Sequence, residues 1–257
     1  VRQIYPDQST PTDAALAALY AYPGRDGPAA HWLRANMVMS LDGAATVRGR
    51  SGGLSGDADQ QVFALLRALA DVIVVGAGTA RVEGYCPVRP GEEGVRWAWL
   101  REGRPASPPI AVLTRRIDLD LASPLLAGAP GHARTIVITT EAAPADRRAA
   151  VARTAEVIVA GEQSIDLPAA VAALGGRGYR CMLTEGGPHL LAQIIGAGLL
   201  DELCLTLSPV LTGSGAGRIV RGPGPLQSLW GGTRPLTLAH VLAADGHLLC
   251  RYRRPAS

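Results

Sequence analysis

The chain is short of aromatic residues: only 4% of its 257 residues are Phe, Trp or Tyr, and a single Phe is present. The core must therefore be built from Val, Leu, Ile and Ala, which a hydrophobic content of 47% supplies in ordinary globular proportion. No C-x-x-C occurs. The four cysteines, Cys86, Cys181, Cys204 and Cys250, lie far apart, which argues against a zinc site, and no metal is expected. Three of them, Cys181, Cys204 and Cys250, stand in apolar, strand-like surroundings and read as small buried hydrophobes, in keeping with a reducing cytoplasm. No apolar run reaches transmembrane length and the N-terminus lacks a signal-peptide pattern, so a cytoplasmic protein without membrane attachment is expected. Excess charge is also small, at +3. The densest basic cluster, Arg251-Tyr252-Arg253-Arg254, reads as a solubilising tail, and no nucleic-acid module is evident.

What is present is an alternation of short apolar runs with helical segments. The first part, residues 1–28, reads as a polar arm plus a short helix, with Asp13 capping Ala14 to Tyr20 and Pro23-Gly24 stopping it. A strand is expected from His31 to Met39, with Ser40-Leu41-Asp42-Gly43 as its exit and a Gly-rich loop from Arg48 to Gly56. Asp57 begins a helix in which Val62, Leu65, Leu66 and Leu69 recur at helical spacing. Asp71–Val75, Ile110–Leu113, Thr135–Thr139, Val157–Ala160 and Arg180–Leu183 read as buried parallel strands, with helices near Ala145–Arg153 and Leu167–Leu174. Residues 86–108 read as a long loop. At the end, Asp201–Leu207 is strand-like, and Leu236–Leu242 and His247–Tyr252 flank Ala244-Asp245-Gly246, a hairpin signal. The fold class is α/β: a central, mainly parallel mixed sheet flanked by helices, with an antiparallel edge hairpin. No internal repeat or linker divides the chain, so residues 29–257 are expected to form one domain behind the arm.

Two glycine-bearing junctions carry the strongest chemical signal. Gly76-Ala77-Gly78-Thr79 follows Ile73-Val74-Val75, and Thr184-Glu185-Gly186-Gly187-Pro188 follows Cys181-Met182-Leu183. Each precedes a helix, so backbone N–H groups and a helix N-terminus can meet phosphate at either place. A diphosphate-bearing dinucleotide is the natural ligand. The pattern is not the usual fingerprint, because the third Gly of G-x-G-x-x-G and a P-loop Lys are both missing. Taken alone, each junction is as readily a tight turn.

The motifs in order are Asn36-Met37-Val38-Met39-Ser40-Leu41-Asp42-Gly43, Leu66-Arg67-Ala68-Leu69-Ala70-Asp71, Val75-Gly76-Ala77-Gly78-Thr79-Ala80-Arg81, Leu183-Thr184-Glu185-Gly186-Gly187-Pro188 and Leu200-Asp201-Glu202-Leu203 with Ser208-Pro209-Val210-Leu211. Together they resemble the reductase domain of riboflavin biosynthesis, a pyrimidine reductase of the dihydrofolate-reductase-like superfamily. The likeness runs from about residue 32 to 252 and is greatest to stand-alone actinobacterial members. The zinc deaminase signature of the bifunctional members is absent.

The resemblance implies NADPH-dependent reduction of a C=N bond in an aminouracil phosphate, and a homodimer. It places Gly76 and Thr79 at the cofactor phosphates, Gly186, Gly187 and Leu190 against the dinucleotide, and Leu54-Ser55 over the nicotinamide. Thr114, Arg115 and Arg116 would meet the 2′-phosphate, where hydroxyl and guanidinium donors suit a dianion. Arg116 reads nearly as well as a solvated loop residue. Asp42 and Glu185 are the candidate catalytic carboxylates, able to orient substrate amino groups or promote imine protonation if partial burial raises their pKa. For Asp42, Asp-Gly is also a common turn pair. Asn36 and Ser40 are candidate pocket residues, and Arg89 is placed to hold an anionic substrate group. Asp201-Glu202 reads as structural.

One position departs from the family. An arginine usually holds the ribose phosphate from the helix after the Gly-rich loop, and here that position is Gln60. A neutral amide does not replace a guanidinium at phosphate. A pterin or dihydrofolate reductase on the same fold is therefore the nearest alternative, and a non-catalytic nucleotide- or flavin-type cofactor-binding protein is the alternative of another class.

Overall fold

The computed structural model describes residues 1–23, 31–89, 95–213, 215–222 and 234–255. The strands are β1 (Arg2–Tyr5), β2 (Trp32–Ser40), β3 (Val72–Gly76), β4 (Ile110–Leu113), β5 (Ile136–Thr139), β6 (Glu156–Val159), β7 (Cys181–Thr184), β8 (Glu202–Ser208), β9 (Thr237–Ala244) and β10 (His247–Arg253). The described helices include α1 (Asp13–Leu19), α2 (Asp57–Leu69), α3 (Ala77–Glu83), α4 (Pro124–Ala127), α5 (Ala145–Val151), α6 (Leu167–Gly175) and α7 (Pro188–Gly196), with short 3-10 turns at Ser51–Leu54, inside the expected Gly-rich loop, at Ala98–Arg101 and at Gly131–Ala133. None is long and apolar enough to cross a membrane.

The ten strands form one sheet in the order β1-β9-β10-β8-β2-β7-β3-β4-β5-β6. From β8 through β6 every neighbouring pair is parallel, whereas β10, β9 and β1 continue the sheet antiparallel. Every residue of β4, β5 and β7 is buried. This is the condition of a parallel strand covered on both faces, and it explains their continuous apolar runs. The α2 stripe Val62, Leu65 and Leu66 packs into the main core with Ile73, Val75 and Val112. The hairpin joining β9 to β10 turns on Asp245 (φ 49°) and Gly246 (φ 78°). Both central residues are left-handed, as the twist-matched two-residue turn requires.

Four readings change. The cap of α1 is Thr12, whose side chain accepts the Ala15 N–H, and Asp13 is the first helical residue. Gly24, expected to stop this helix, lies outside the described residues, as do residues 90–94 of the long loop. The N-terminal arm contributes β1, an edge strand against β9. The described part of the 86–108 segment packs inward: Trp97 is fully buried, and Arg101 donates to the Ala68 and Ala70 carbonyls at 3.1 and 2.8 Å. A cation there satisfies the open carbonyls at the end of α2.

The last correction concerns the basic cluster at the chain end. Arg251 is not part of a tail but a buried residue of β10, 3% exposed. It donates to both oxygens of Glu202 at 2.8 Å, and Arg34 Nε donates to Glu202 Oε1 at 2.5 Å. The two guanidinium groups also reach the Leu19, Tyr20 and Ala21 carbonyls. One carboxylate on β8 thus ties β2, β10 and the end of α1 together. Its neighbour Asp201 accepts the Leu33 N–H at 2.8 Å and pairs with Arg254. Both acids are structural in this chain.

Candidate active site

A cavity of about 710 Å³ lies beside the carboxyl ends of the central strands, lined by Asn36 of β2, Gly78 and Thr79 after β3, and Glu185 and Gly187 after β7. This is where open α/β sheets bind ligands. The volume is that of a small-molecule site.

The two glycine junctions meet. The Gly76 N–H donates to the Gly186 carbonyl at 2.9 Å, and the Gly186–Gly187 peptide is cis. Gly186 has a φ of +83°, a conformation costly for any residue with a Cβ. A Cβ on Gly187 would collide with the Thr79 hydroxyl, so this glycine is required first for the approach of α3 to the start of α7. Gly78 differs: an added Cβ there meets nothing within 4 Å, leaving an open cradle in the first turn of α3. Such a cradle, with Thr79 and the N-terminus of α7 beside it, fits a dinucleotide phosphate.

Glu185 is 8% exposed and takes the full fork of Arg67, with Nε–Oε1 at 2.7 Å and Nη2–Oε2 at 2.8 Å. The Tyr85 hydroxyl donates to Oε2 at 2.6 Å. Arg67 itself lies over the Phe63 ring at 4.2 Å. Burial works against the Arg67 charge, but Glu185 outweighs it and the guanidinium pKa is raised. Burial, aided by Glu185, raises the Tyr85 hydroxyl well above its ordinary value, which keeps it protonated. Tyr85 and Phe63 are among the lining residues that the sequence did not point to, and Arg67, which it offered only as a substitute phosphate contact for Gln60, is instead the partner of Glu185. Arg67 stands inside a motif, but its partner is 118 positions away.

Asp42 behaves otherwise. It is exposed, outside the cavity lining, and accepts from the Ser40 hydroxyl and from the Thr212 and Gly213 N–H groups at 3.2 and 2.8 Å. The Ser40 and backbone donors draw its pKa down to about 2. The expected raised pKa of an acid is replaced by its opposite, and Asp42 serves to fasten the loop after β8. Ser40 is fully buried, and its hydroxyl also accepts the Ala44 N–H at 2.9 Å. It too is absent from the cavity lining.

The remaining candidates divide. Asn36, Ser55, Gln60, Thr79, Arg89 and Gly187 line the cavity together with Glu185. The Gln60 amide donates to Ser55 Oγ at 2.8 Å, and that hydroxyl donates to Asp59. Leu54 and Leu190 are buried, at 1% and 7% exposure, and do not line the cavity. Thr114 follows β4, the neighbour of β3, and is buried, with Arg115 and Arg116 exposed after it. The three residues flank the Gly76–Thr79 junction without lining the cavity itself.

These features define an open-sheet α/β protein with a ligand cavity at a double glycine junction. Residues 31–249 match the family described as the RibD C-terminal domain, and the chain belongs to that family. A relative from Archaeoglobus fulgidus named 2,5-diamino-6-ribosylamino-4(3H)-pyrimidinone 5′-phosphate reductase is 30% identical over 69% of this chain and 80% of its own length. A protein of the same name from Methanothermobacter thermautotrophicus is 29% identical over 74% of this chain and 83% of its own. Among solved structures, a pyrimidine reductase-like protein from Corynebacterium diphtheriae superposes with a TM-score of 0.76 at 29% identity, covering 88% of this chain and 93% of that one. Acinetobacter baumannii RibD shares the fold at a TM-score of 0.67 and 20% identity, over 88% of this chain and 59% of its own.

Proposed function

We propose that this chain is an oxidoreductase that uses NADPH to reduce the C=N bond of a ribosylamino-pyrimidine phosphate. The observation that carries the reading is the Glu185–Arg67–Tyr85 set on the wall of the same cavity that the two glycine junctions open into. In a member of the RibD C-terminal domain family whose relatives are named as pyrimidinone phosphate reductases, that cavity is the place for pyrimidine and cofactor to meet.

The bound dinucleotide supplies a hydride. Gly78, Thr79 and the start of α7 would hold its phosphates, and Arg115, with Arg116 beside it, would meet a 2′-phosphate. The chain's own work is placement. Glu185, fixed by the guanidinium fork and the Tyr85 hydroxyl, is an acceptor for the N–H groups of an aminopyrimidine. Asn36, on the β2 wall, adds an amide that both donates and accepts. Asp42, outside the cavity lining and held by Ser40, Thr212 and Gly213, is given no step in this reading.

The test is to incubate the protein with NADPH and either the diamino-pyrimidinone ribosyl phosphate or dihydrofolate, following loss of the reduced-cofactor absorbance. Turnover of the pyrimidine phosphate is expected. Turnover of dihydrofolate alone would move the assignment to a pterin reductase, and no oxidation with any imine would leave a cofactor-binding protein.

A further inference from the structure

Of the described residues 215–222, which follow β8, Gly217, Arg218 and Arg221 line the cavity. The Gly217 carbonyl accepts the Ala45 N–H at 2.7 Å, beyond the end of β2, and the Arg221 N–H donates to the Pro188 carbonyl at 3.1 Å, at the start of α7. Between these two anchors Arg218 and Arg221 both line the cavity, and both are exposed. Among the described residues neither guanidinium has a hydrogen-bond or ion-pair partner.

Among the described residues no acid of the cavity wall pairs with either guanidinium. Asp59 accepts from Ser55, Glu83 accepts the Ser51 N–H at 2.9 Å, and Glu185 is held by Arg67 and Tyr85. Arg218 and Arg221, like Arg89 in the same lining, thus have no ion-pair partner among the described residues, and the Arg221 backbone is tied to the start of α7, a nine-residue helix whose N-cap Gly187 offers no side-chain partner. Planar guanidinium forks beside open helix N–H groups match the oxygens of a phosphate ester.

We propose that Arg218 and Arg221 form a phosphate clamp, held in the cavity wall by these two backbone anchors. The clamp rests on the reductase reading for its ligand: the phosphate is either the diphosphate of the dinucleotide or the monophosphate of the pyrimidine substrate. In the second case it takes over the contact that Gln60 does not make.

The test compares wild type with Arg218→Gln, Arg221→Gln and the double variant. Arg153→Gln, at the far β6 edge, controls for lost net charge. Calorimetric titrations with inorganic pyrophosphate and with NADPH are followed by KM for the phosphorylated substrate and its phosphate-free counterpart. Each single variant is expected to weaken the affected phosphate ligand about tenfold, and Arg153→Gln to leave it unchanged. Loss in the pyrophosphate and NADPH titrations assigns the clamp to the dinucleotide. Loss confined to KM for the phosphorylated substrate assigns it to the substrate. Wild-type affinities for every ligand in the double variant overturn the clamp. If wild type neither binds NADPH nor turns over, the reductase reading fails by itself, and the pyrophosphate titration still decides the clamp: binding lost in the variants supports it, and no binding to wild type overturns it.

Discussion

Glu185 and Asp42 each stand beside a glycine at the end of a parallel strand, and their neighbours give them different work. Glu185 faces a guanidinium fork and a phenol inside the cavity, whereas Asp42 fastens the loop at Thr212 and Gly213. Glu185→Gln is expected to leave NADPH binding nearly intact and to lower kcat/KM for the pyrimidine. The loss of one charge-assisted contact is about 1.5–3 kcal/mol, roughly ten- to a hundredfold. Asp42→Asn is expected to keep kcat within about twofold and to change no limb of the pH–rate profile, since a group outside the cavity donates no proton to substrate. Steady-state kinetics on both variants check this, and an Asp42 variant as slow as the Glu185 one would restore the acid role. At Gly187 the neighbour is protein. Gly187→Ala drives a methyl into the Thr79 hydroxyl, so NADPH affinity should fall together with thermal stability. Thr79→Ala in the same chain removes the obstacle and is expected to recover part of both. Measured melting points and cofactor titrations of the single and double variants decide whether the glycine serves packing or ligand alone.

At the scale of elements, β8 is held by charge as well as by its ladder. Glu202 is fully buried and lies between Arg34 of β2 and Arg251 of β10. Glu202→Gln keeps the shape but leaves two buried cations short of their counter-charge. The expected cost is about 3–5 kcal/mol in urea unfolding, and a loss below about 1 kcal/mol would show that the carbonyls of α1 alone satisfy the arginines. This cluster also shows where the sequence was silent. The central strands were legible because parallel strands covered on both faces must be continuous apolar runs, and Asp245-Gly246 announced the hairpin through the left-handed turn it makes. β1 was not legible, because Arg2, Gln3, Ile4 and Tyr5 have no apolar run and gain their place only by pairing with β9. Arg251 sits among arginines that look like a tail until β10 is paired to β8. In the site, the glycines were readable because backbone geometry is local. The partners of Glu185 were not, because Arg67 and Tyr85 arrive from α2 and the segment after α3.

For the molecule as a whole, the acids and bases buried at the junction of the parallel sheet and its antiparallel edge set the response to pH. His240 of β9 is 2% exposed, stacks edge-on to Tyr20 at 4.7 Å, and stands across from Arg251. Burial and then the Arg251 charge draw its pKa from 6.5 to about 4, with Arg34 and Arg253 acting the same way and Glu202 opposing them. The folded protein thus holds a neutral imidazole where the unfolded chain binds a proton. Stability tied to this group is complete above pH 6.5 and is lost as the pH falls from 6.5 toward 4. Between about pH 7 and pH 5 the loss should be roughly 2 kcal/mol, because one proton taken up only by the unfolded chain costs about 1.36 kcal/mol for every tenfold rise in acidity. Burial would raise the Glu202 pKa, but Arg34 and Arg251 overcome it and the net shift is downward from 4.5. Its contribution is therefore held down to that value and is lost only at more acid pH. Asp201, raised by burial from 3.8, runs the opposite way and gains stability as the pH falls. Of these three groups His240 is therefore the one that loses stability as the pH falls from 6.5 to 4.5. His240→Gln should flatten the urea midpoint between pH 7 and 5, whatever it does to the absolute stability. A variant whose midpoint falls with pH as steeply as the wild type would place the titrating group elsewhere in the fold.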